Sequence, residues 1–227
     1  MKYIDAHCHL ESDILPANIA LAITNSACQS DWGRVIESLH ASGVYGAIGV
    51  HPWYASDLTM DWREQMRKLL VLHPNLMVGE IGLDKYKQNM TTQIDIFKQQ
   101  LEIASTLGRV AHIHCVGAWD KVLAALKTYT PPAIVLHGFD ASPDVMTQLL
   151  RYNSYFSFGP SVCNPLRRRV HNALCACPQN RILSESDSQN LTDVVTVVHQ
   201  MSAFLSVPLA ELKKTIYNNV TELLKNG

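Results

Sequence analysis

Short apolar runs alternate with longer amphipathic stretches along the whole chain. The runs are YIDAHC (3–8), IALAITN (19–25), YGAIGV (45–50), LMVGEIGL (76–83), RVAHIHC (109–115), AIVLHG (133–138), YFSFG (155–159) and RILSES (181–186), eight in all. Each is short and either rich in β-branched or aromatic residues or bounded by Gly, Pro or Asn, as buried strands are. The stretches between them follow the helical period instead. Trp32, Val35, Ile36 and Leu39 recur at helical spacing, and their pattern stops at Gly43. Ile94, Phe97, Leu101 and Ala104 share one face of a helix that stops at Gly108. Ser142 followed by Pro143 reads as an N-cap and first helical residue. A final helix is predicted after the last strand, within residues 207–227.

Alternating strands and helices predict a parallel α/β architecture. Eight strands predict a closed TIM (β/α)8 barrel, which typically takes about 250 residues. The chain has 227, and its shortfall can be located. Only residues 9–18 separate the first two apolar runs, fewer than the dozen or so that a parallel crossover needs. The first crossover helix is therefore expected to be shortened or missing, with an extra helix at the C-terminal end. No linker, low-complexity segment or internal repeat interrupts the pattern, so residues 1–227 are read as one domain.

Composition narrows the classes. Apolar residues make up 47% of the chain, which argues against disorder. No run of about 18 uncharged apolar residues occurs, so no membrane span or membrane partner is expected. The opening MKYIDAHCHL is too short in its apolar part for a secretory leader, and a cytoplasmic location is expected. The six cysteines, none in a CxxC pair, then read as free thiols. A net charge of -1 gives no bulk attraction to nucleic acid. The one basic cluster is Arg167-Arg168-Arg169. It reads either as a solvated helix face or as a local contact for a phosphate backbone. Monomer and dimer both stay open.

The chain carries ten histidines, and their placement matters more than their number. His7 and His9 end the first strand, His51 the third, His114 the fifth and His137 the sixth. Glu80 lies late in the fourth, and Asp187 follows the eighth. Barrel enzymes place their active sites at the carboxyl ends of strands, so these positions converge. Imidazole with carboxylate suits Zn, Mn or Fe. Residues two apart on a strand face the same way, so His7 and His9 can share one ion while Cys8 points away. His114 and His137 could serve a second ion, with Glu80 bridging the two. Two ions roughly 3.5–4 Å apart can clamp the attacking and leaving oxygens of a displacement. Asp187 could both ligate the first ion and take a proton from water. His112 and Asp5 share inward faces with ligands, and Glu185 is inward too; each either supports a ligand or is an ordinary hydrogen-bonded core residue. Asp84 and Tyr86 either line the mouth or are solvated loop positions. Trp53 either stacks on a base or sugar or packs its loop. His40, His73, His171 and His199 read as ordinary surface residues.

The motifs DAHCHL, GVHPW, GEIGLD, HIHC, VLHGF and SESD resemble, in order and approximate spacing, TatD-like metal-dependent hydrolases of the amidohydrolase superfamily. The resemblance covers essentially the whole chain. It implies a TIM barrel, one or two divalent ions (Zn, Mg or Mn) and hydrolysis. Position by position, His7, His9, Glu80, His114, His137 and Asp187 match the family's metal ligands, and Asp187 its proposed general base. The resemblance places the residue matching His51 beside the substrate and not on the metal, with Trp53 next to it. The chain departs from the family at Val116, where many relatives carry an arginine, and at Ser188-Gln189, where a proline is usual. An arginine at 116 would fork onto a phosphate.

Three readings follow. Cleavage of phosphodiester bonds in DNA comes first, on the resemblance. Hydrolysis of a small carbonyl substrate (a lactone, ester or amide) is consistent with Val116 and the neutral charge balance. A metal-binding module without activity comes third, since every ligand position is filled.

Overall fold

The structure is a computed structural model and describes residues 1–11 and 14–226. Eight parallel strands run in chain order around one sheet: β1 (Tyr3–Cys8), β2 (Ile19–Asn25), β3 (Val44–Ile48), β4 (Met77–Asp84), β5 (Ala111–Val116), β6 (Ile134–Leu136), β7 (Ser154–Phe158) and β8 (Ile182–Ser184). Seven of the helices lie between strands or just after β8: α1 (Trp32–Ser38), α2 (Trp62–Leu72), α3 (Met90–Leu107), α4 (Trp119–Leu126), α5 (Pro143–Leu149), α6 (Arg168–Ala176) and α7 (Asp193–Leu205). An eighth, α8 (Leu209–Leu224), is additional. This is the predicted TIM barrel. No helix joins β1 to β2 among the described residues, although Ser12 and Asp13 of that connection lie outside them.

The expected local signals have visible causes. Gly108 caps α3 in the left-handed region at φ 65°, where a Cβ would be strained. The Ser142 hydroxyl accepts from Val145 N at 3.4 Å, and Pro143 follows as the first helical residue. Cys8 points outward as predicted, its thiol donating to Ile23 O at 3.4 Å. His171 corrects the surface reading: it is buried, its Nε2 lies 2.9 Å from Val162 O, and its ring stacks on Phe204 at 3.9 Å. Its position on the inner face of α6, between Val170 and Ala173, buries it.

Between β8 and β1 the barrel is closed by individual bonds. Ser184 Oγ donates to Ile4 O at 2.9 Å, Asp187 N to His7 O at 3.0 Å, and His9 N to Ser188 O at 3.1 Å. The Asp5 carboxylate accepts from Ser186 N at 3.0 Å and from His7 N at 3.3 Å. Helix α8 covers this seam from outside, burying Leu212, Ile216, Val220 and Leu223. Its Asn219 donates to Ile182 O and Gln179 O, both at 2.8 Å, which satisfies carbonyls at the start of β8.

Candidate metal centre

Glu80 stands at the middle of the barrel mouth, 3% exposed, and its two oxygens face two different sets of side chains. On one side, His7 Nε2 lies 3.4 Å and His9 Nε2 3.6 Å from Oε2. Asp187 Oδ1 completes this side, 3.6 Å from His9 Nε2 and 3.9 Å from His7 Nε2. On the other side, His137 Nε2, His114 Nδ1 and His51 Nε2 lie 2.8, 3.1 and 3.4 Å from Oε1. Three groups have donor atoms close enough to share an ion: His7, His9 and Asp187; His7, Glu80 and His137; His51, Glu80 and His114.

The candidate ligands lie on strands or just past their carboxyl ends. His7 and His9 face inward together, with ring centroids 5.3 Å apart. Glu80 N donates to Ser26 O at 3.0 Å, tying β4 to the end of β2. Just before it, a Cβ at Gly79 would fall 2.6 Å from the Cβ of His112, so only glycine lets these strands approach there. Asp187 sits in the left-handed region at φ 50°, a conformation that costs on the order of 1 kcal/mol for a residue with a side chain. Its hydrogen bond to His7 O helps to hold it there.

The electrostatics suit a cation. Burial pushes the Glu80 carboxyl up, but the imidazoles of His137, His51 and His114 outweigh burial and hold it well below the usual carboxylate range. Burial alone would neutralise His137; Glu80 and Glu185 on either side of it raise its proton affinity well above normal. Burial lowers His51 to about 3, beyond what Glu80 restores, so it is neutral; its one lone pair, on Nδ1, accepts from Trp53 N, and Nε2–H faces Glu80. Burial also pushes Asp187 up, yet its hydrogen bond with His9 and the nearby His137 and His7 hold it at about 2. Both ring nitrogens of His7 are buried without a hydrogen-bond partner. An ionised carboxylate facing two sets of imidazoles, with both nitrogens of His7 buried and unpartnered, offers the donor set of a divalent ion held by nitrogen and oxygen.

The structure brings together His7, His9, Glu80, His114, His137 and Asp187. It also draws in His51, expected beside the substrate: its Nδ1 accepts from Trp53 N at 3.2 Å, leaving Nε2 aimed at Glu80. Trp53 is 52% exposed at the rim, and its indole donates to Asp84 Oδ2 at 2.7 Å. Glu185 touches one of these histidines directly: its Oε1 lies 3.4 Å from His137 Nδ1 and accepts from Gly138 N at 2.7 Å. Asp5 touches the backbone of His7 rather than its ring, and burial raises its carboxyl to about 8. His112 lies deeper, its ring 6.0 Å from His7 and its proton affinity lowered by burial.

Gln93 and Gln100, seven apart on α3, had no role in the sequence reading. Gln100 accepts from Val50 N at 2.7 Å and donates to Val50 O at 3.1 Å, acting as an extra strand residue just before His51. Gln93 does the same for Asp84, at 2.9 and 3.2 Å. Two amides on an otherwise apolar helix face were the available signal.

A family model described as TatD related DNase matches residues 4–225. The chain belongs to the TatD-related DNase family. It is 26% identical to an uncharacterised metal-dependent hydrolase of Mycoplasma genitalium, over 98% of this chain and 99% of that protein. It is 28% identical to a 3'-5' ssDNA/RNA exonuclease TatD of Enterobacter lignolyticus, over 72% of this chain but only 64% of that one. The TatD homologue YjjV of Escherichia coli superposes with a TM-score of 0.88 at 22% identity, over 97% of each chain, and so shares the fold. TatD membership makes this chain a metal-dependent hydrolase.

Proposed function

We propose that the chain hydrolyses phosphodiester bonds in single-stranded nucleic acid, DNA first, at a centre formed by His7, His9, Glu80, His114, His137 and Asp187, with His51 beside it. The observation that carries this reading is Glu80, whose two oxygens each face a separate set of imidazoles. Divalent ions bound there would supply Lewis acidity and lower the pKa of water. Glu80 holds the two halves at a fixed separation. Asp187 is ionised at neutral pH, and its side chain is 45% exposed toward the mouth, placed to accept a proton from an attacking water. Glu185 fixes the His137 ring through Nδ1, presenting Nε2 to the centre. Trp53, half exposed at the rim with the Lys87 ammonium 3.9 Å over its ring, could stack on a base once that side chain moves aside.

Support for the nucleic-acid substrate comes from relatives named as exonucleases. Val116 at the mouth favours the carbonyl reading as the alternative. Both are tested together: a single-stranded oligonucleotide and a lactone panel, each with Mg, Mn and Zn, on the wild type and on Asp187→Asn. Strand cleavage lost in Asp187→Asn supports the proposal. Lactone turnover lost in that variant, with no strand cleavage by the wild type, rejects it. Under about one ion per chain after metal supplementation removes the metal centre itself.

A further inference from the structure

The centre opens into a cavity of about 570 Å³, with His114, His137 and Asp187 in its lining. Lys85, Arg167, Arg168 and Arg169 line it as well, and all four are exposed. The carboxylates in that lining are Asp140 and Asp187, so cations outnumber them. Among the described residues the lysine and arginine ion pairs lie elsewhere: Arg34 with Asp31, Arg63 and Arg67 with Glu102, Lys121 with Asp120, and Lys225 with Glu222. Four unpaired positive charges around one cavity repel each other and focus a field that attracts a polyanion.

Their placement relates to Val116. Strand register sets Asp84 against Val116, and Lys85 N donates to Val116 O at 3.0 Å. The next residue, Gly117, is in the left-handed region at φ 64°, and a Cβ there would meet the Lys85 side chain, with Nζ 2.8 Å away. The Lys85 stem thus lies against the backbone just beyond Val116, carrying a cation from β4 to the end of β5. Tyr86 lines both this cavity and a neighbouring groove formed in part by Trp53 and Lys87. The Lys87 ammonium sits 3.9 Å over the Trp53 ring. A path for a strand runs from the cations across Tyr86 to Trp53.

We infer that Lys85 and Arg167–Arg169 form a subsite for backbone phosphates of a nucleic-acid strand next to the scissile bond, supplying from β4 and α6 the cation that position 116 lacks. This rests on the phosphodiester reading and adds the residues that grip the strand. The probe is a fluorescent 20-nucleotide DNA strand with phosphorothioate linkages, and its RNA counterpart, bound to the metal-loaded protein across a salt series. Arg167→Gln/Arg168→Gln/Arg169→Gln is expected to raise Kd about tenfold or more near 0.1 M salt. It should also flatten the slope of log K against log salt by about 2, and Lys85→Gln by about 0.7. Lys85→Arg should restore the wild-type slope. A control, Lys213→Gln/Lys214→Gln/Lys225→Gln, removes the same charge from α8 and its C-cap. On a cleavable strand the arginine variant should raise KM far more than it lowers kcat. Unchanged slopes in the mouth variants, or an equal loss in the control, overturn the subsite while leaving strand cleavage by the wild type intact. A wild type that neither binds nor cuts a strand overturns both. A strand bound with the expected slopes yet never cut overturns the catalytic reading alone.

Discussion

Glu185 has no route to the mouth, being fully buried, yet it touches His137 on the side away from Glu80. Its contribution is to hold an imidazole still and keep its outer nitrogen electron-rich. Glu185→Gln is expected to lower metal affinity about 10–100-fold while leaving the fold in place. Calorimetric titration of the chelated protein with Mn or Zn checks this, and an unchanged affinity would assign Glu185 to the barrel interior alone. At this scale the sequence was most informative where chemistry demands an unusual residue, such as histidine or carboxylate ending a buried strand. It was least informative about contacts across the seam. The partners of Asp5 are backbone amides at His7 and Ser186, and main-chain donors leave no trace in residue identity. His171 was misread for a related reason, because one histidine on an amphipathic helix does not reveal which face it occupies.

Helix α3 acts as a scaffold for two strand ends. Gln100 pairs with both backbone groups of Val50, and Gln93 with both of Asp84, at the positions where β3 and β4 leave the regular sheet. The helix thereby holds the segments bearing His51 and Lys85. Gln100→Leu would leave the amide and carbonyl of Val50 buried without partners, a cost of about 2–3 kcal/mol. Urea unfolding should show that loss as a lower midpoint at unchanged slope; no shift would mean that the loop finds other partners. The strands themselves were legible, because burial on both faces enforces continuous apolar runs. Their ends were less so: the β6 run was read as 133–138, whereas the ladder covers Ile134–Leu136. The His137 amide still donates to Ile113 O on β5 at 3.1 Å, and pairing stops at Gly138, whose amide turns to Glu185.

Over the whole molecule, the barrel depends on an element that standard strand–helix alternation does not require. Helix α8 packs on β1 and β8, and its Asn219 caps carbonyls beneath β8. Deleting residues 209–226 would expose the apolar face that Leu212, Ile216, Val220 and Leu223 now cover. The expected result is a chain without a cooperative thermal transition that binds a hydrophobic dye. A sharp transition near the wild-type midpoint would show that the barrel closes without α8. The short β1–β2 connection and the extra terminal helix were both visible in the sequence from spacing alone. The packing of α8 on β1 was not, since contacts between elements far apart along the chain leave no local pattern.

The seam between β8 and β1 also has a consequence in time. His7 and His9 belong to the first strand of the barrel, yet β8 and α8, which flank that strand, are its last elements to be synthesised. Until residues 184–188 arrive, the carbonyl of His7 and the amide of His9 lack the partners they have in the finished barrel. Contacts this distant along the chain make closure a late and slow step. A nascent chain would therefore complete the candidate ion-binding pocket only after residues 184–188 have joined the first strand.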